Sequence, residues 1–401
     1  MQGAKNSALK LMAATLLAEG QFRLSNVPRI TDVDTMTELL TSMGVGVRRA
    51  SDGSVHVTRT SDCVPEAPYE LVERIRASIV VLGPLLARFG RARVAMPGGD
   101  NFGSRPIDMH LRGLEELGAS FEFAHGVIDA RADVLIGTRI VLEFPSVGAT
   151  ENILMAAVLA KGTTVIDNAA REPEIADLAA FLNRMGAVIE GAGTSTITVE
   201  GVDSLGPADH EVIPDRIEAA TYLAAVGVAG GEVTIRGARA DHMDMLIHKL
   251  GAMGLLVADT SEGIWATRPG ERLIATDVAT LPYPGVATDY EPLLVSMLAV
   301  ADGVGVVTEN VFAASRYGFV AELARMGADI TLADHHAVVR GVPRLSGAPV
   351  KASDIRAGAA LVVAGLAAEG ETVVAGGDHL DRGYTDMAAK LAGLGADVRR
   401  A

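Results

Sequence analysis

Apolar residues near the start of the chain recur with helical spacing. They occupy positions i, i+3, i+4, i+7 and i+8 and predict one buried helix face: Leu9, Met12, Ala13, Leu16 and Leu17. Lys5 and Lys10 interrupt the stretch and no cleavage site follows an unbroken apolar run, so the pattern predicts a globular helix and not a signal peptide. The sequence has no run of about 18 uninterrupted apolar residues, and we expect no membrane span.

A helical stretch that ends in Leu-Gly or Met-Gly, and then enters an apolar stretch, occurs six times. Its glycines are Gly44, Gly118, Gly186, Gly254, Gly327 and Gly395. A second helix-to-strand glycine precedes each of them: Gly20, Gly90, Gly162, Gly230, Gly303 and Gly370. A glycine at the end of a helix often adopts the left-handed conformation. Six α/β units of about 70 residues therefore fill the chain, and because this period exceeds that of solenoids, the simplest arrangement is two closed domains of three units.

The first helix of each unit opens with polar or charged residues. Lys5, Arg76, Arg216 and Arg356 lie at four of these six starts. A helix N-terminus carries partial positive charge and favours phosphate or carboxylate. Each start by itself could be an ordinary cap. The recurrence of a cation at four of them favours an anion-binding site.

Composition narrows the class of protein. A chain of 401 residues with 49% hydrophobic and 21% charged residues predicts a globular protein of two domains. The net charge of −15 argues against nucleic acid and against anionic membrane surfaces as partners. The lone Cys63 excludes an internal disulfide and suits a reducing cytoplasm. The sequence contains no P-loop and no His-Glu-x-x-His motif, so we expect no metal and no cofactor.

Nine motifs, in order along the chain, carry a resemblance to a known family: "GAKNSAL", "RASIVVLGP", "PGGDNFGSRPIDMH", "SVGATENILMAAVLA", "NAAREPEI", "PDRIEAAT", "TENVF", "SDIRAGAALVVAG" and "DRGY". From Gly3 to Arg400 the sequence resembles the UDP-N-acetylglucosamine enolpyruvyltransferases. The resemblance implies two inside-out α/β domains of three units each. It assigns residues 5–213 to the first and residues 1–4 with 214–401 to the second, with the active site in the cleft between them.

The resemblance also implies an activity. Such enzymes transfer the enolpyruvyl group of phosphoenolpyruvate to the 3-hydroxyl of UDP-N-acetylglucosamine by addition and elimination, with release of phosphate. This is the first committed step of peptidoglycan synthesis. The expected partners are these two small molecules, with no nucleic acid and no membrane, and the oligomeric state stays open.

Five residues match the family's donor and proton-transfer groups. Lys5 and Asn6 match the pair that holds phosphoenolpyruvate and the sugar. Arg105 and Arg382 match arginines that grip the phosphate and carboxylate of phosphoenolpyruvate, a bidentate task that suits a guanidinium. Asp289 matches the carboxylate beside the sugar hydroxyl and is the candidate base. Lys5 and Arg382 are also expected to act in catalysis.

Other residues match the family's nucleotide-sugar contacts. They are Asn6, Arg76, Arg105, Pro106, Ile107, Asp108, Met109, Ser146, Val147, Asp289 and, through its backbone, Val311. Arg356 and Asp354 match residues that line the cleft.

Asp100 lies in the loop 97–106, at the position where most family members carry a cysteine that protonates the methylene carbon of phosphoenolpyruvate. A carboxylic acid can supply this proton if its pKa is raised. Gly98, Gly99 and Gly103 would permit the loop to close and desolvate the acid. The alternative is a solvated surface turn.

Three alternatives concern the acceptor and the activity. The stretch "FAASRYGF" is one residue longer than in the family and lacks an acidic residue, and "PGVATD" replaces the usual Phe-Pro-Thr-Asp. Both departures affect the sugar side, so a paralogue that acts on another uridine nucleotide, such as UMP, is the second hypothesis. A shikimate-phosphate enolpyruvyltransferase is disfavoured by the intact uracil strip. A non-catalytic homologue is disfavoured because Lys5, Asp100, Arg105, Asp289 and Arg382 are all present.

Overall fold

The computed structural model describes residues 1–98 and 107–400, without the side chains of residues 313–315. Asp100, Arg105 and Pro106 therefore lie outside the described residues. The described residues divide into two compact units, with residues 2–98 and 107–213 in the first and residues 214–400 together with Met1 in the second. Residues 2–4, which the sequence-based division assigned to the second domain, group with the first unit, where the Ala4 N–H donates to the Ile213 carbonyl at 2.7 Å.

The first unit contains three four-stranded sheets of the same design. In each, a short edge strand pairs in parallel with its neighbour, and the remaining pairings are antiparallel. In spatial order the sheets comprise Asp209–Glu211, Gly20–Ser25, Val55–Arg59 and Gly46–Arg49; Glu66–Ala67, Arg91–Ala95, Val127–Arg131 and Ser120–Ala124; and Arg139–Val141, Thr163–Asp167, Thr196–Glu200 and Val188–Glu190.

The second unit varies the same design. One sheet repeats it in full: Val278–Ala279, Val304–Thr308, His336–Arg340 and Asp329–Ala333. A second sheet has only the three antiparallel strands Glu232–Arg236, Gly263–Thr267 and Leu256–Thr260. Two parallel pairs complete the unit: Leu345–Ser346 with Ala368–Glu369, and Pro349–Lys351 with Val373–Ala375.

Helices connect the strands. In the first unit the α-helices are Lys5–Ala14, Thr31–Ser42, Tyr69–Val72, Leu82–Phe89, Asp108–Glu116, Val147–Ala157 and Pro173–Arg184, with 3₁₀ turns at Thr15–Leu17 and Arg76–Val81. In the second unit they are Arg216–Ala229, Asp244–Ala252, Glu291–Ala299, Val320–Arg325, Ile355–Leu366, Gly377–Asp381 and Met387–Gly393, with 3₁₀ turns at Ala240–His242, Thr288–Tyr290 and Ala313–Phe319.

The first helix of a repeat is buried on all sides, which makes each unit inside-out. Every residue from Ala149 to Ala157, and every residue from Arg216 to Val228, is buried. The sheets lie outside these helices and bury one face only, as in the first strand, where Phe22 and Leu24 are buried. A helix that is apolar all round must be enclosed. The predicted α/β class with two three-repeat domains is confirmed.

The twelve helix-to-strand glycines fulfil the conformational prediction. All have positive φ, from +66° at Gly90 to +129° at Gly20. A residue with a Cβ is disfavoured in this region, so glycine is required wherever the chain must turn this way. The periodicity in the sequence therefore reflects a glycine with positive φ at each of twelve helix-to-strand connections.

Within the two described stretches, no helix combines the length and the apolar character that crossing a bilayer requires. The same residues contain no group of three or more His, Cys, Asp and Glu side chains arranged to hold a metal ion.

Candidate functional site

Lys5 and Asn6 form the first turn of the helix Lys5–Ala14, hereafter the Lys5 helix. The Lys5 ammonium lies 2.7 Å from Asp32 Oδ2, and its side chain is 12% exposed. Asp32 is in the first turn of the following helix and is almost fully buried. The ion pair therefore fixes a lysine that still has access to solvent, as a ligand-binding cation requires.

The other predicted nucleotide-sugar residues of the first unit also lie at helix starts. Arg76 opens the 3₁₀ turn that leads into Leu82–Phe89. The helix Asp108–Glu116 begins with Asp108 and Met109, and Ile107 precedes it. Ser146 caps the helix Val147–Ala157, hereafter the Val147 helix, through a 3.3 Å hydrogen bond from the Ala149 N–H to its Oγ.

A buried amide joins three of these starts. Asn152 lies on the Val147 helix, and its Oδ1 accepts a 2.7 Å hydrogen bond from the Gly83 N–H. The amide nitrogen Nδ2 of Asn152 is therefore the donor. Its Nδ2 donates to the Ile79 carbonyl and to His110 Nδ1, each at 3.0 Å. Asn152 is completely buried. The Arg76 segment, the Asp108 helix and the Val147 helix are thus held together at their N-terminal ends.

His110 is neutral in this arrangement. Burial first, and then the positive charges of Arg76 and Lys10, together lower its pKa to about 3. Because Nδ1 accepts from Asn152, the ring proton of neutral His110 is on Nε2. The ring lies against Gly148, where a Cβ would come within 2.9 Å of Cε1 and 3.0 Å of Nε2. A hydrogen-bond donor is therefore held beside the first turn of the Val147 helix.

The Lys5 helix is joined to the Val147 helix by an ion pair. Lys10 Nζ lies 2.8 Å from Glu151 Oε2 and donates to Glu151 Oε1 at 3.1 Å. It also contacts the Asn6 carbonyl at 3.4 Å. Glu151 is completely buried, and burial raises its pKa to about 7 against the opposing effect of Lys10. The four segments that carry predicted site residues (the Lys5 helix, the Arg76 segment, the Asp108 helix and the Val147 helix) are therefore linked by buried polar contacts.

In the second unit, Asp289 lies between two guanidinium groups. Its Oδ1 is 2.8 Å from Arg356 Nε and 3.2 Å from an Arg316 terminal nitrogen. Burial opposes ionisation, but Arg356 and Arg316 outweigh it and hold the pKa of Asp289 well below its usual range. The Asp289 side chain is 28% exposed, whereas those of Arg316 and Arg356 are 3% and 10% exposed. Asp289 is thus an ionised carboxylate that is partly exposed to solvent and is held from the buried side by two arginines.

Predicted residues Asp354 and Val311 lie around this carboxylate. Asp354 caps the helix Ile355–Leu366 by accepting from the Arg356 and Ala357 N–H groups at 2.8 and 3.0 Å. The Val311 N–H donates to Glu309 Oε1 at 2.7 Å. Thr288, next to Asp289, donates to the other Glu309 oxygen at 2.9 Å. Glu309 therefore ties the Val311 turn to the Asp289 segment.

Glu291 is a further carboxyl group beside Arg316. It is completely buried, and neither oxygen has a hydrogen-bond partner in the described part of the chain. Burial raises its pKa well above the usual value although Arg316 opposes the shift. Burial therefore favours the neutral carboxylic acid form of Glu291.

Arg382 follows the short helix Gly377–Asp381 and is partly buried. Two residues later, the Tyr384 hydroxyl lies 2.9 Å from Thr221 Oγ1 and forms a hydrogen bond with Arg356. The Arg382 segment is in this way connected to the Asp289 cluster. The predicted acid Asp100 and the predicted contacts Arg105 and Pro106 lie outside the described residues.

Sequence reasoning missed several polar residues of these two clusters: Lys10, His110, Glu151, Asn152, Glu291, Glu309 and Arg316. His110 closes the motif "RPIDMH" and Asn152 lies within "SVGATENILM", so each follows predicted contacts by one or a few residues. A polar residue in an otherwise apolar, buried helix was the available signal.

Comparisons with known proteins identify the family of the chain. The family described as EPSP synthase (3-phosphoshikimate 1-carboxyvinyltransferase) matches residues 1–391. UDP-N-acetylglucosamine 1-carboxyvinyltransferase of Mycolicibacterium paratuberculosis is 51% identical over 399 residues, which cover 99% of this chain and 95% of the relative. The enzyme of the same name from Nitratidesulfovibrio vulgaris is 50% identical over 400 residues, with 100% and 95% covered.

Solved structures show the same fold. The enolpyruvyl transferase NikO from Streptomyces tendae is 29% identical with a TM-score of 0.88, and the match covers 99% of this chain and 94% of NikO. EPSP synthase from Acinetobacter baumannii is 19% identical with a TM-score of 0.75, and the match covers 100% of this chain and 96% of that structure. The chain therefore belongs to the EPSP synthase family of enolpyruvyltransferases and, within it, to the UDP-N-acetylglucosamine 1-carboxyvinyltransferases.

Proposed function

We propose that the protein transfers the enolpyruvyl group of phosphoenolpyruvate to the 3-hydroxyl of UDP-N-acetylglucosamine and releases phosphate. The linkage of four helix starts in the first unit supports this proposal most strongly. N-terminal N–H groups, Lys5 and neutral His110 provide the donors that a diphosphate requires. The buried lone thiol Cys63 suits a reducing compartment, so we propose the cytoplasm as the place of the reaction.

In the first unit we assign Ser146, Val147, Ile107 and Met109 to the nucleotide, since they lie at the ends of two linked helices. His110 Nε2–H would donate to the diphosphate without adding a charge that varies with pH. Lys5 and Asn6 would contact both substrates from the first turn of the Lys5 helix.

In the second unit we assign Asp289 to the sugar hydroxyl. A carboxylate whose pKa is held low by Arg356 and Arg316 is a weak base. Proton transfer to it would accompany carbon–oxygen bond formation, when the hydroxyl becomes acidic. Arg382 would bind the phosphate or carboxylate of phosphoenolpyruvate, and Asp100 would protonate its methylene carbon.

The acceptor is tested by supplying phosphoenolpyruvate with UDP-N-acetylglucosamine or with UMP and measuring phosphate release, with mass spectrometry of the product. We expect turnover with the UDP-sugar and none with UMP. The likeness to NikO makes another uridine nucleotide the second candidate. Turnover with UMP alone would establish that alternative, and the absence of phosphate release with both acceptors would refute the assigned reaction.

A further inference from the structure

Glu151 is a buried acid with one cationic neighbour and an incompletely satisfied carboxylate. Its Oε1 accepts a hydrogen bond from Lys10, and its Oε2 lies 2.8 Å from the same ammonium. Oε2 receives no directed hydrogen bond from any described residue. The Glu151 side chain is 0% exposed, so bulk solvent does not reach it. Buried carboxylates need several donors to stay ionised, and this one has a single ammonium group.

Neighbouring charges act on Glu151 in both directions. Lys10, from the Lys5 helix, opposes the rise in the Glu151 pKa, while Glu174 and Glu172, at the start of the helix Pro173–Arg184, add to it. The positive charges of Lys10 and Arg76 also act on His110 and help to keep it neutral. Lys10 is thus the cation that opposes the effects of burial and of these two carboxyl groups on the pKa of Glu151.

The ion pair lies one helical turn behind the predicted nucleotide-sugar contacts. Glu151 follows Val147 by four residues, and Lys10 follows Asn6 by four residues, a separation of about 6 Å along a helix. An anion at the two helix starts would therefore be close enough to repel the Glu151 carboxylate in a medium of low dielectric constant.

We propose that Glu151 takes up a proton from solvent when the diphosphate of the nucleotide sugar binds at the starts of the Lys5 and Val147 helices, so that the charge of Lys10 is no longer neutralised by Glu151 and acts on the ligand. The inference rests on the proposed function, because it assigns the diphosphate to these helix starts. Glu151 is buried and does not touch the substrate in this scheme, so it is a positioning residue that couples affinity to pH.

The size of the effect follows from the titration of Glu151, whose pKa in the free protein is about 7. A nearby like charge raises the pKa of a carboxyl group by about one unit or more. A rise of one unit would produce an uptake of about 0.4 proton per bound ligand at pH 7. The affinity for the nucleotide sugar would then decrease by up to about tenfold as the pH rises from 6 to 9.

Isothermal titration calorimetry in two buffers of different ionisation enthalpy measures this uptake. The probe is UDP-N-acetylglucosamine without phosphoenolpyruvate, since its diphosphate does not titrate near neutral pH. We expect about 0.4 proton for the wild type at pH 7 and none for Glu151→Gln, which keeps the shape and an acceptor for Lys10. Lys10→Met should leave Glu151 already protonated at pH 7 and move the uptake to higher pH.

Glu218→Gln is the matched control. Glu218 forms a 2.5 Å pair with Lys390 in the second unit and is also buried, with a pKa raised by burial. The control should retain the wild-type uptake. Binding without proton uptake by the wild type, or equal uptake by wild type and Glu151→Gln, would overturn the inference and leave the proposed function standing.

Two further results separate the two proposals. If the UDP-sugar does not bind but another uridine nucleotide does, the proposed function fails, and uptake measured with that nucleotide decides the inference. If nothing binds, both fail. Should Glu151→Gln not fold, carbon-13 NMR of the Glu151 carboxyl in the wild type replaces it, and a pKa that does not rise with ligand refutes the inference.

Discussion

Replacing Asp289 by Asn removes the common counter-charge of two buried arginines. The carboxylate lies 2.8 Å from Arg356 and 3.2 Å from Arg316, whose side chains are only 10% and 3% exposed. Breaking a buried pair by removing one partner destabilises a protein by about 3–5 kcal/mol. Asp289 is 28% exposed, so water compensates in part, and we expect a loss of about 3 kcal/mol in the free energy of unfolding.

Calorimetry of thermal unfolding checks this magnitude. For a unit of about 190 residues, a loss of 3 kcal/mol lowers the unfolding midpoint by about 6–12 °C. The matched control is Asp302→Asn, since the Asp302 carboxylate is 82% exposed and lies 3.5 Å from Arg272 in the same unit. Exposed ion pairs contribute about 0–1 kcal/mol, so the control should unfold close to the wild type.

The pH dependence of the difference between wild type and Asp289→Asn tests the cause. The pKa of Asp289 is lower in the folded protein than its ordinary value of 3.8. Its stabilising effect is therefore complete above pH 3.8 and is lost as the pH falls through the folded-state pKa. The difference should be constant from pH 8 to pH 5 and shrink below pH 4. Equal midpoints for Asp289→Asn and Asp302→Asn at pH 7 would refute the assignment of Asp289 as a buried counter-charge.

Three further predictions concern individual residues. Arg382→Ala should weaken phosphoenolpyruvate binding far more than nucleotide-sugar binding, because a guanidinium that binds phosphate or carboxylate is lost; titration calorimetry with each substrate measures this. Fosfomycin, an epoxide that alkylates the family's cysteine, should not inactivate the wild type, because the carboxylate of Asp100 is a much weaker nucleophile than a thiolate. The variant Asp100→Cys should stay active and become sensitive to fosfomycin. Turnover assays and mass spectrometry of the alkylated protein measure these two results. His110, whose pKa is lowered to about 3, should make unfolding easier as the pH falls from 6.5 towards 3, and His110→Gln should flatten that dependence in urea titrations.

Each of these predictions has a control or a contradicting outcome. Arg399→Ala, at an 84% exposed arginine near Glu371, should leave both substrate affinities unchanged. Full activity of Asp100→Asn would exclude Asp100 as the acid, because an amide cannot supply the proton. His248→Gln, at an exposed position, should retain the wild-type slope between pH 6.5 and 3, and parallel curves for wild type and His110→Gln would contradict the assignment of His110 as buried and neutral.

The repeat architecture could be predicted from the sequence because a glycine with positive φ recurs where helices end. Gly44 and Gly118 illustrate this, since their positive φ values of +87° and +107° follow from a helix that ends where a strand must begin. A local rule of this kind needs no knowledge of distant contacts. The same reasoning placed Lys5 and Arg216 at helix starts.

The contacts that assemble the clusters could not be predicted, because their partners are far apart in sequence. Asn152 bonds to His110 across 42 residues, and Lys10 pairs with Glu151 across 141 residues. Asp289 reaches Arg356 across 67 residues. Burial of these polar groups depends on packing between repeats, which residue spacing alone does not specify. The two ion pairs that hold Asp289, the predicted base, to Arg356 and Arg316 are contacts of this kind.

The parallel edge strand of the first sheet has a consequence for synthesis on the ribosome. The strand Gly20–Ser25 pairs with Asp209–Glu211, and the adjoining bond from Asn26 to the Val212 carbonyl spans 186 residues. At an elongation rate of about 5–20 residues per second, the first strand must wait roughly 10–40 s for its partner to be made. Throughout that interval its unpaired edge offers backbone donors and acceptors to any other extended chain.

The nascent protein is therefore vulnerable for a defined period that ends only when residue 212 has left the ribosomal tunnel. Synonymous codons that slow translation between the two strands would lengthen this period without altering the finished molecule. Aggregation during expression should accordingly depend on the speed of translation before residue 212 more than on the speed after it.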